Sequence, residues 1–163
     1  MSPHDEPAGF EEFVAARRAA LHRSAYLLTG DVHDAEDLVQ VALVKAAARW
    51  ARIADHPEPY VRRILVRESV TRWRRRRWRE LPYETVPDRA AHPVDSDSVE
   101  ALRRALDRLS ARQRAVVVLR YYDDLTERQT ADVLGISVGT VKSHARDALT
   151  RLRDIVPEGV LTT

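Results

Sequence analysis

Hydrophobic residues recur along much of this chain at intervals of three and four, which is the spacing of amphipathic helices. Near the carboxyl end, Val141, Ala145, Ala148, Leu152 and Ile155 follow at steps of four, three, four and three. No segment shows the strict alternation of hydrophobic and polar residues that is typical of a strand. The pattern predicts an all-α protein in which this last stripe is buried.

In the first half of the chain, glycine and proline divide the helical pattern into segments. The predicted helices run from about Phe10 to Leu28, from Val32 or His33 to Trp50, and from about Tyr60 to Trp78. The stretch from Leu81 to Asp97 contains prolines and no hydrophobic period, which is typical of a linker. We therefore expect two small helical domains, residues 1–80 and 98–163, joined by a flexible linker over 81–97.

The second domain has the features of a helix-turn-helix. Thr126 and Gln129 have the spacing of a capping box, and Ala131 is small enough for two helices to cross closely. Gly135 stands where the turn requires a positive φ angle, and Ser137 can cap the second helix. The second helix would then expose small and basic residues to a DNA groove. A plain helical hairpin with a solvated polar face is the alternative.

Composition narrows the class of protein. The chain has 163 residues, is 44% hydrophobic and contains no cysteine, so disulfides and thiolate metal sites are excluded. No run of 18 apolar residues is present, and the polar, acidic amino end does not have the pattern of a secretory signal. We expect a cytoplasmic protein with no membrane span, no metal and no cofactor.

Positive charge is concentrated in one place, although the net charge is only +2. Nine arginines and a single acid, Glu68, lie between Arg62 and Arg79. Val66, Val70 and Trp73 run through this cluster at helical spacing. Arginine with interleaved tryptophan suits phosphate contact and base stacking, so nucleic acid is the predicted partner. A solvated helix face is the alternative.

Four separated motifs, in a fixed order, resemble the extracytoplasmic-function (ECF) sigma factors of the sigma-70 family. They are DAEDLVQ at residues 34–40, PYVRRI at 59–64, LSARQR at 109–114 and LGISVGTVKS at 134–143. The WRRRRW run at 73–78 is similar to that of an actinobacterial subgroup. The resemblance covers residues 10–155, which is almost the whole chain.

The resemblance implies a non-catalytic subunit that binds core RNA polymerase and promoter DNA. It implies contacts with the β′ clamp helices and the β flap, a monomer when free, and an anti-sigma factor as a further partner. The implied polymerase contacts are Asp37, Gln40, Val41 and Val44. The residues implied for the −10 element are Arg63, Arg67, Arg72, Arg74, Arg75 and Trp78. Those implied for the −35 element are Arg120, Val138, Gly139, Thr140, Lys142, Ser143 and Arg146.

Several of these residues allow a second interpretation. Asp37 and Gln40 share a helix face, but acids near a helix start are also favoured by the helix dipole. Trp73 lies on the hydrophobic stripe and suits a core better than a stacking platform. Trp78 can stack on bases or cover the end of the domain. Arg120 can contact DNA or pair with a neighbouring aspartate, Asp123 or Asp124.

Three residues depart from the family pattern. Two other functions are alternatives to that of a sigma factor. Arg67 stands where relatives usually carry asparagine, and His144 and Asp147 where they commonly carry arginine. A stand-alone helix-turn-helix regulator would need a dimer interface or a ligand domain, and residues 1–80 offer no obvious pocket. An enzyme acting on nucleic acid would need paired carboxylates, an activated nucleophile or a metal cluster, and the sequence shows none of these patterns.

Overall fold

The computed structural model describes residues 9–78 and 97–155, and every regular element in those ranges is a helix. In chain order the elements are α1 (Phe10–Thr29), α2 (Val32–Ala48), α3 (Trp50–Ile53), α4 (Pro57–Trp78), α5 (Asp97–Leu106), α6 (Ala111–Val117), a π-helical segment (Val118–Tyr122), α7 (Glu127–Leu134) and α8 (Val138–Ile155). The all-α prediction is confirmed for this part of the chain. Each helix described in it is too short or too polar to cross a membrane.

Helices α1, α2 and α4 pack together as the first unit. Gly30 ends α1 in the left-handed conformation at φ 72°, and its N–H donates to the carbonyl of Tyr26. Asp31 then caps α2, because its carboxylate accepts a hydrogen bond from the N–H of Asp34. Leu21 of α1 and Leu38 of α2 are fully buried in the resulting core. The predicted break between the first two helices is therefore confirmed.

Two boundaries in the first unit differ from the prediction. The second helix ends at Ala48 instead of Trp50, and the backbone of Arg49 leaves the helical region before α3 begins. Trp50 is buried against the rings of Phe10 and Phe13, and this packing accompanies the break. The fourth helix begins at Pro57 instead of Tyr60, because proline is tolerated in a first helical turn, where N–H groups lack helical partners.

The second unit forms the predicted helix-turn-helix from α7 and α8. Thr126 and Gln129 form a reciprocal capping box, and Gly135 ends α7 at φ 67°. Val141, Ala145, Ala148 and Leu152 are buried along α8, as the stripe predicted. Ile155 was expected on the same buried stripe, and this was wrong. It is 42% exposed, since no described element covers the last turn of α8.

The two units pack directly against each other. One continuous hydrophobic core contains Leu28 and Leu65 from the first unit together with Leu106 and Leu119 from the second. Helix α4 contacts α6 and α7, and α1 contacts α5, α6 and the π-helical segment. The linker predicted over 81–97 lies outside the described residues except for Asp97, where α5 begins. Sequence analysis did not predict that the units pack together.

Candidate DNA and polymerase surfaces

Helix α8 presents its first two turns on the surface of the second unit. Ser137 caps it, accepting a hydrogen bond from the N–H of Thr140 at 3.1 Å, and its hydroxyl also bonds the Thr140 hydroxyl at 2.8 Å. Val141 and Ala145 are buried beneath, in a small core with Val116 and Ala131. Burial of this side fixes which residues of α8 point outward.

The residues predicted to contact the −35 element are placed unequally. Gly139, Lys142 and Arg146 are exposed, whereas Thr140 and Ser143 are half-buried. The side chain of Val138 packs against the small core, so its available group is the backbone N–H at the start of the helix. The exposed set can reach phosphates and base edges in a groove.

Arg120 lies beside this helix, at the edge of a groove of about 300 Å³ that Lys142 and Arg146 also line. Its guanidinium donates to the carbonyl of Leu125 at 2.6 Å and lies 4.0 Å from the carboxylate of Glu127. The same carboxylate lies 3.7 Å from the ammonium of Lys142. Glu127 therefore holds two of the candidate cations together. The alternative pairing of Arg120 with Asp123 or Asp124 is wrong, because its acidic partner among the described residues is Glu127.

The arginines predicted for the −10 element on α4 have different surroundings. Arg74 and Arg75 are exposed. The Arg63 guanidinium donates to the carbonyl of Asp132 on α7 at 3.3 Å. A Cβ atom placed on Gly135 would lie 3.9 Å from the guanidinium of Arg67, so Arg67 lies beside the turn of the helix-turn-helix.

Arg72 turns the other way, toward α2. Its guanidinium lies 3.9 Å from the carboxylate of Asp34 and 4.0 Å from that of Asp37, and it donates to the carbonyl of Asp34 at 3.4 Å. Helix α4 ends at Trp78, and the side chain of Trp78 lies outside the described residues. The predicted −10 set is thus divided among three environments.

A second groove, of about 500 Å³, runs between α2 and α4. Arg63 and Arg67 line it together with Lys45, Arg49 and Tyr60, which sequence analysis did not select. Lys45 and Arg49 are four residues apart on α2, and this spacing was the available signal. Four cations and a phenol ring along a groove are suited to a nucleic-acid backbone with adjacent bases. Glu68 pairs with Lys45 at 3.3 Å and reduces the net charge.

Helix α2 exposes the residues predicted to contact the polymerase. Asp37 and Gln40 are exposed, and Val41 is half-buried. Val44 is 70% exposed, which is the highest exposure of any large hydrophobic residue in ranges 9–78 and 97–155. The helix dipole acts most strongly on the first turn, and Asp37 lies beyond that turn. Val41 and Val44 are three residues apart on α2, so they form a small apolar patch beside Asp37 and Gln40.

Two buried charges join the units, and neither was predicted from the sequence. Arg62 of α4 lies 2.5 Å from the carboxylate of Asp123, which follows the π-helical segment. Burial raises the pKa of the Asp123 carboxyl, while Arg62 and the hydroxyl of Ser24 act in the opposite direction. Arg114 of α6 lies over the ring of Trp73, 4.3 Å from its centroid. Trp73 is half-buried, and its ring packs against Arg114, in agreement with its place on the hydrophobic stripe.

The same two units match known families. Residues 13–79 match the family described as Sigma-70 region 2, and residues 99–152 match Sigma-70, region 4. The RNA polymerase sigma-E factor of Streptomyces avermitilis is 42% identical over 158 residues, which cover 93% of this chain and 87% of that protein. The chain belongs to the sigma-70 family of RNA polymerase sigma factors.

Other relatives place this sigma factor within the ECF class. The ECF RNA polymerase sigma factor SigE of Mycolicibacterium smegmatis is 31% identical over 183 residues, which cover 94% of this chain and 70% of that protein. Among solved structures, the sigma factor RpoE in complex with the anti-sigma factor NepR from Bartonella quintana has a TM-score of 0.73 and 28% identity. That comparison covers 90% of this chain and 95% of the other.

Proposed function

We propose that this sigma factor binds core RNA polymerase through α2 and directs it to promoters by contacting DNA with α4 and α8. The observation that carries the proposal is the exposed face of Asp37, Gln40 and Val44 on the same chain as two basic surfaces. A DNA-binding protein acting alone has no use for the first of these. The synthesis of RNA belongs to the polymerase, so the chain acts as a non-catalytic subunit in the cytoplasm.

At the −35 element, α8 enters the major groove with its amino-terminal half. Lys142 and Arg146 donate to guanine edges or phosphates, and the absence of a side chain at Gly139 lets the backbone approach the DNA. Arg120 supplies a phosphate contact at the edge of the groove. Asp147 is exposed on the same helix and disfavours a nearby phosphate, so residues of α8 beyond Arg146 contribute less.

At the −10 element, the groove between α2 and α4 holds the separated strand. Arg63 and Arg67 face it, and Arg74 and Arg75 extend the positive surface along α4. Unpairing costs a few kcal/mol for each flipped base. Contacts between these arginines and the separated strand offset the cost of unpairing.

The polymerase contact involves the β′ clamp helices on the α2 face and the β flap on the second unit. An anti-sigma factor is a further partner, because RpoE of Bartonella quintana, which shares the fold over most of its length, is in complex with one. The chain is a monomer when free.

The test is a gel-shift experiment with promoter DNA, with and without core polymerase. We expect weak binding by the chain alone and specific, tight binding once core is added, because core holds both DNA surfaces at a fixed separation. Val44→Asp should abolish co-purification with core, whereas Glu12→Ala, exposed on α1, should not. Tight and specific binding by the chain alone, with a stable dimer in analytical ultracentrifugation, would instead support a stand-alone regulator.

A further inference from the structure

In the described part of the chain, one acid, Glu127, lines the groove beside α8. Four cations line the same groove, namely Arg120, Lys142, Arg146 and Arg153. Glu127 is the first residue of α7, and its side chain is 36% exposed. An acid on a positively charged surface weakens the attraction of that surface for phosphates. The place of Glu127 therefore needs a physical reason.

The carboxylate of Glu127 lies between two of these cations. One of its oxygens is 4.0 Å from the guanidinium of Arg120, and the other is 3.7 Å from the ammonium of Lys142. Arg120 belongs to the π-helical segment and Lys142 to α8, so one carboxylate joins three elements of the second unit. We call Arg120, Glu127 and Lys142 the charge triad. Two positive charges and one negative charge leave the triad with a formal charge of +1.

The backbone around Arg120 fixes one side of the charge triad. In the π-helical segment, the N–H of Asp123 donates to the carbonyl of Val118, five residues back. Segments of this kind are rare and occur frequently at functional sites. The Arg120 guanidinium also donates to the carbonyl of Leu125 at 2.6 Å, and its side chain is 24% exposed. Arg120 is therefore held against the loop that precedes α7.

Lys142 is held less firmly than Arg120. Its side chain is 65% exposed, and its ammonium stands on a flexible stem of four carbons. An ammonium of this kind can turn toward any phosphate within reach, and phosphate contacts carry no sequence information. The carboxylate of Glu127 restricts those positions and competes with phosphates for the charge. The O6 and N7 acceptors of guanine have fixed places in the major groove, so a restrained ammonium can keep that contact.

We propose that Glu127 determines specificity at the −35 surface, because it restrains Arg120 and Lys142 and thereby weakens binding to DNA that lacks the promoter sequence. The proposal rests on the proposed function, since it assumes that α8 reads DNA. Glu127 acts through the two cations, and it is therefore a positioning residue.

An acid in a first helical turn has a simpler explanation, which is its favourable interaction with the helix dipole. That explanation predicts an effect on the stability of α7 and none on the salt dependence of DNA binding. The capping box of Thr126 and Gln129 already satisfies N–H groups at the start of this helix. Salt dependence separates the two explanations, because it counts the phosphates that the cations of the protein neutralise.

The first test measures binding of the full chain to a short duplex of mixed sequence without a promoter. Fluorescence anisotropy at salt concentrations of about 50–200 mM gives the affinities. Glu127→Gln raises the charge of the triad by one, so the slope of log K against log salt should become steeper by about 0.9. This slope corresponds to binding about eightfold tighter at a salt concentration of about 0.1 M. An unchanged slope would overturn the proposal.

Two further variants show whether the effect belongs to the charge triad. Asp132→Asn removes one negative charge at an exposed position of α7, and its affinity should stay within about twofold of wild type. Glu127→Asp keeps the charge and should keep a slope close to that of wild type. A gain for Asp132→Asn as large as that for Glu127→Gln would indicate a general charge effect and contradict the proposal. So would a slope for Glu127→Asp as steep as that for Glu127→Gln.

The second test measures specificity in the complex with core polymerase. Two DNA fragments differ only in the −35 region, where one carries the sequence that wild type selects from a randomised library and the other is scrambled. For Glu127→Gln, the ratio of the two affinities should fall by about fivefold, because phosphate contacts are gained on either sequence and the base contact is not. Asp132→Asn should keep the ratio of wild type.

The outcomes of the second test separate the two proposals. A ratio for Glu127→Gln equal to that of wild type would overturn the role of Glu127 in specificity and leave the proposed function intact. A wild-type complex without preference for any −35 sequence would contradict the proposed function. The salt slope of the full chain would then still decide whether Glu127 restrains the two cations.

Discussion

The two basic surfaces of this sigma factor differ in what they contact within the protein. On α8, Lys142 and Arg146 are exposed on a helix whose opposite side is buried in its own unit, and Lys142 lies 3.7 Å from the carboxylate of Glu127 in the same unit. On α4, Arg63 and Arg67 lie against the turn and last residues of α7, which belong to the other unit. The candidate cations of α8 thus contact their own unit, whereas those of α4 also contact the other unit.

This difference follows from how each surface is built. The helix-turn-helix is completed within residues 126–152 by caps, a glycine turn and one hydrophobic stripe. The state of the α4 surface depends on contacts such as that between Arg63 and Asp132, which are 69 positions apart. Local sequence determines the first surface, and long-range packing determines the second.

The largest effect is expected from Arg114→Met, which removes the side chain that joins α6 to the first unit. Buried carbonyls, including that of Leu28, would lose a donor, and the free energy of unfolding should fall by about 3 kcal/mol. Arg112→Met, exposed on the same helix, is the matched control and should stay within about 0.5 kcal/mol. Urea unfolding followed by circular dichroism measures both. Equal stability of the two variants would show that the contact between units is not important for the fold.

A second prediction concerns the open surface on α8. Lys142→Ala and Arg146→Ala should each weaken binding of the polymerase complex to a −35 element by about 1–3 kcal/mol, because each removes a contact to a base or phosphate. Arg104→Ala, exposed on α5, removes the same charge from a different helix. Titration of core and sigma factor on promoter DNA gives the affinities. A loss for Arg104→Ala as large as for the α8 variants would indicate a general charge effect.

Two glycines in the helix-turn-helix should respond to alanine with opposite signs. Gly135 has φ +67°, where a Cβ atom is strained, so Gly135→Ala should lower the free energy of unfolding by about 1–2 kcal/mol. Gly139 is helical, and a Cβ there would meet the Ser137 hydroxyl at an ordinary 3.8 Å. Gly139→Ala should therefore raise stability by about 0.5–1 kcal/mol. Thermal unfolding distinguishes the two, and a shared sign would contradict the turn geometry.

The smallest effect concerns Glu100, which joins α5 to α1 by accepting a hydrogen bond from the Tyr26 hydroxyl at 2.8 Å. The hydrogen bond from Arg103 and that from Tyr26 lower the pKa of Glu100 below its ordinary 4.5, against the effect of burial. Because the folded-state pKa is lowered, its stabilisation is present above pH 4.5 and is lost as the pH falls through the lower value. Glu100→Gln should flatten the dependence of the urea midpoint on pH in that acid range. Glu36→Gln, exposed on α2, should leave the dependence closer to wild type.

Short-range features of the fold and the site were predictable from the sequence. The capping boxes, the positive φ of Gly135 and the outward side of α8 all depend on residues within a few positions of each other. The end of α2 was not predictable from the sequence, since it depends on Trp50 packing against rings near the start of α1. The partners of Arg114 include Leu28, 86 positions away, and no local pattern indicates that contact.

The same limit applies to the charged residues of the candidate site. The sequence predicts one positively charged surface for the arginines of α4, because they are numerous and closely spaced. In the structure, Arg62 pairs with a buried carboxylate, Arg72 lies near the acids of α2, and Arg74 is exposed to solvent. Which arginine remains available depends on acids contributed by other elements, and only the fold brings these into contact.

Run-off transcription tests the central claim most directly, namely that α2, α4 and α8 are three surfaces of one initiation subunit. Purified core polymerase should give a transcript of defined length from a promoter fragment only when this chain is added. Val44→Asp should remove that transcript by preventing assembly, and Lys142→Ala with Arg146→Ala should reduce it on a template that retains the −35 element. A transcript of equal amount without the chain, or with folded Val44→Asp, would contradict the account.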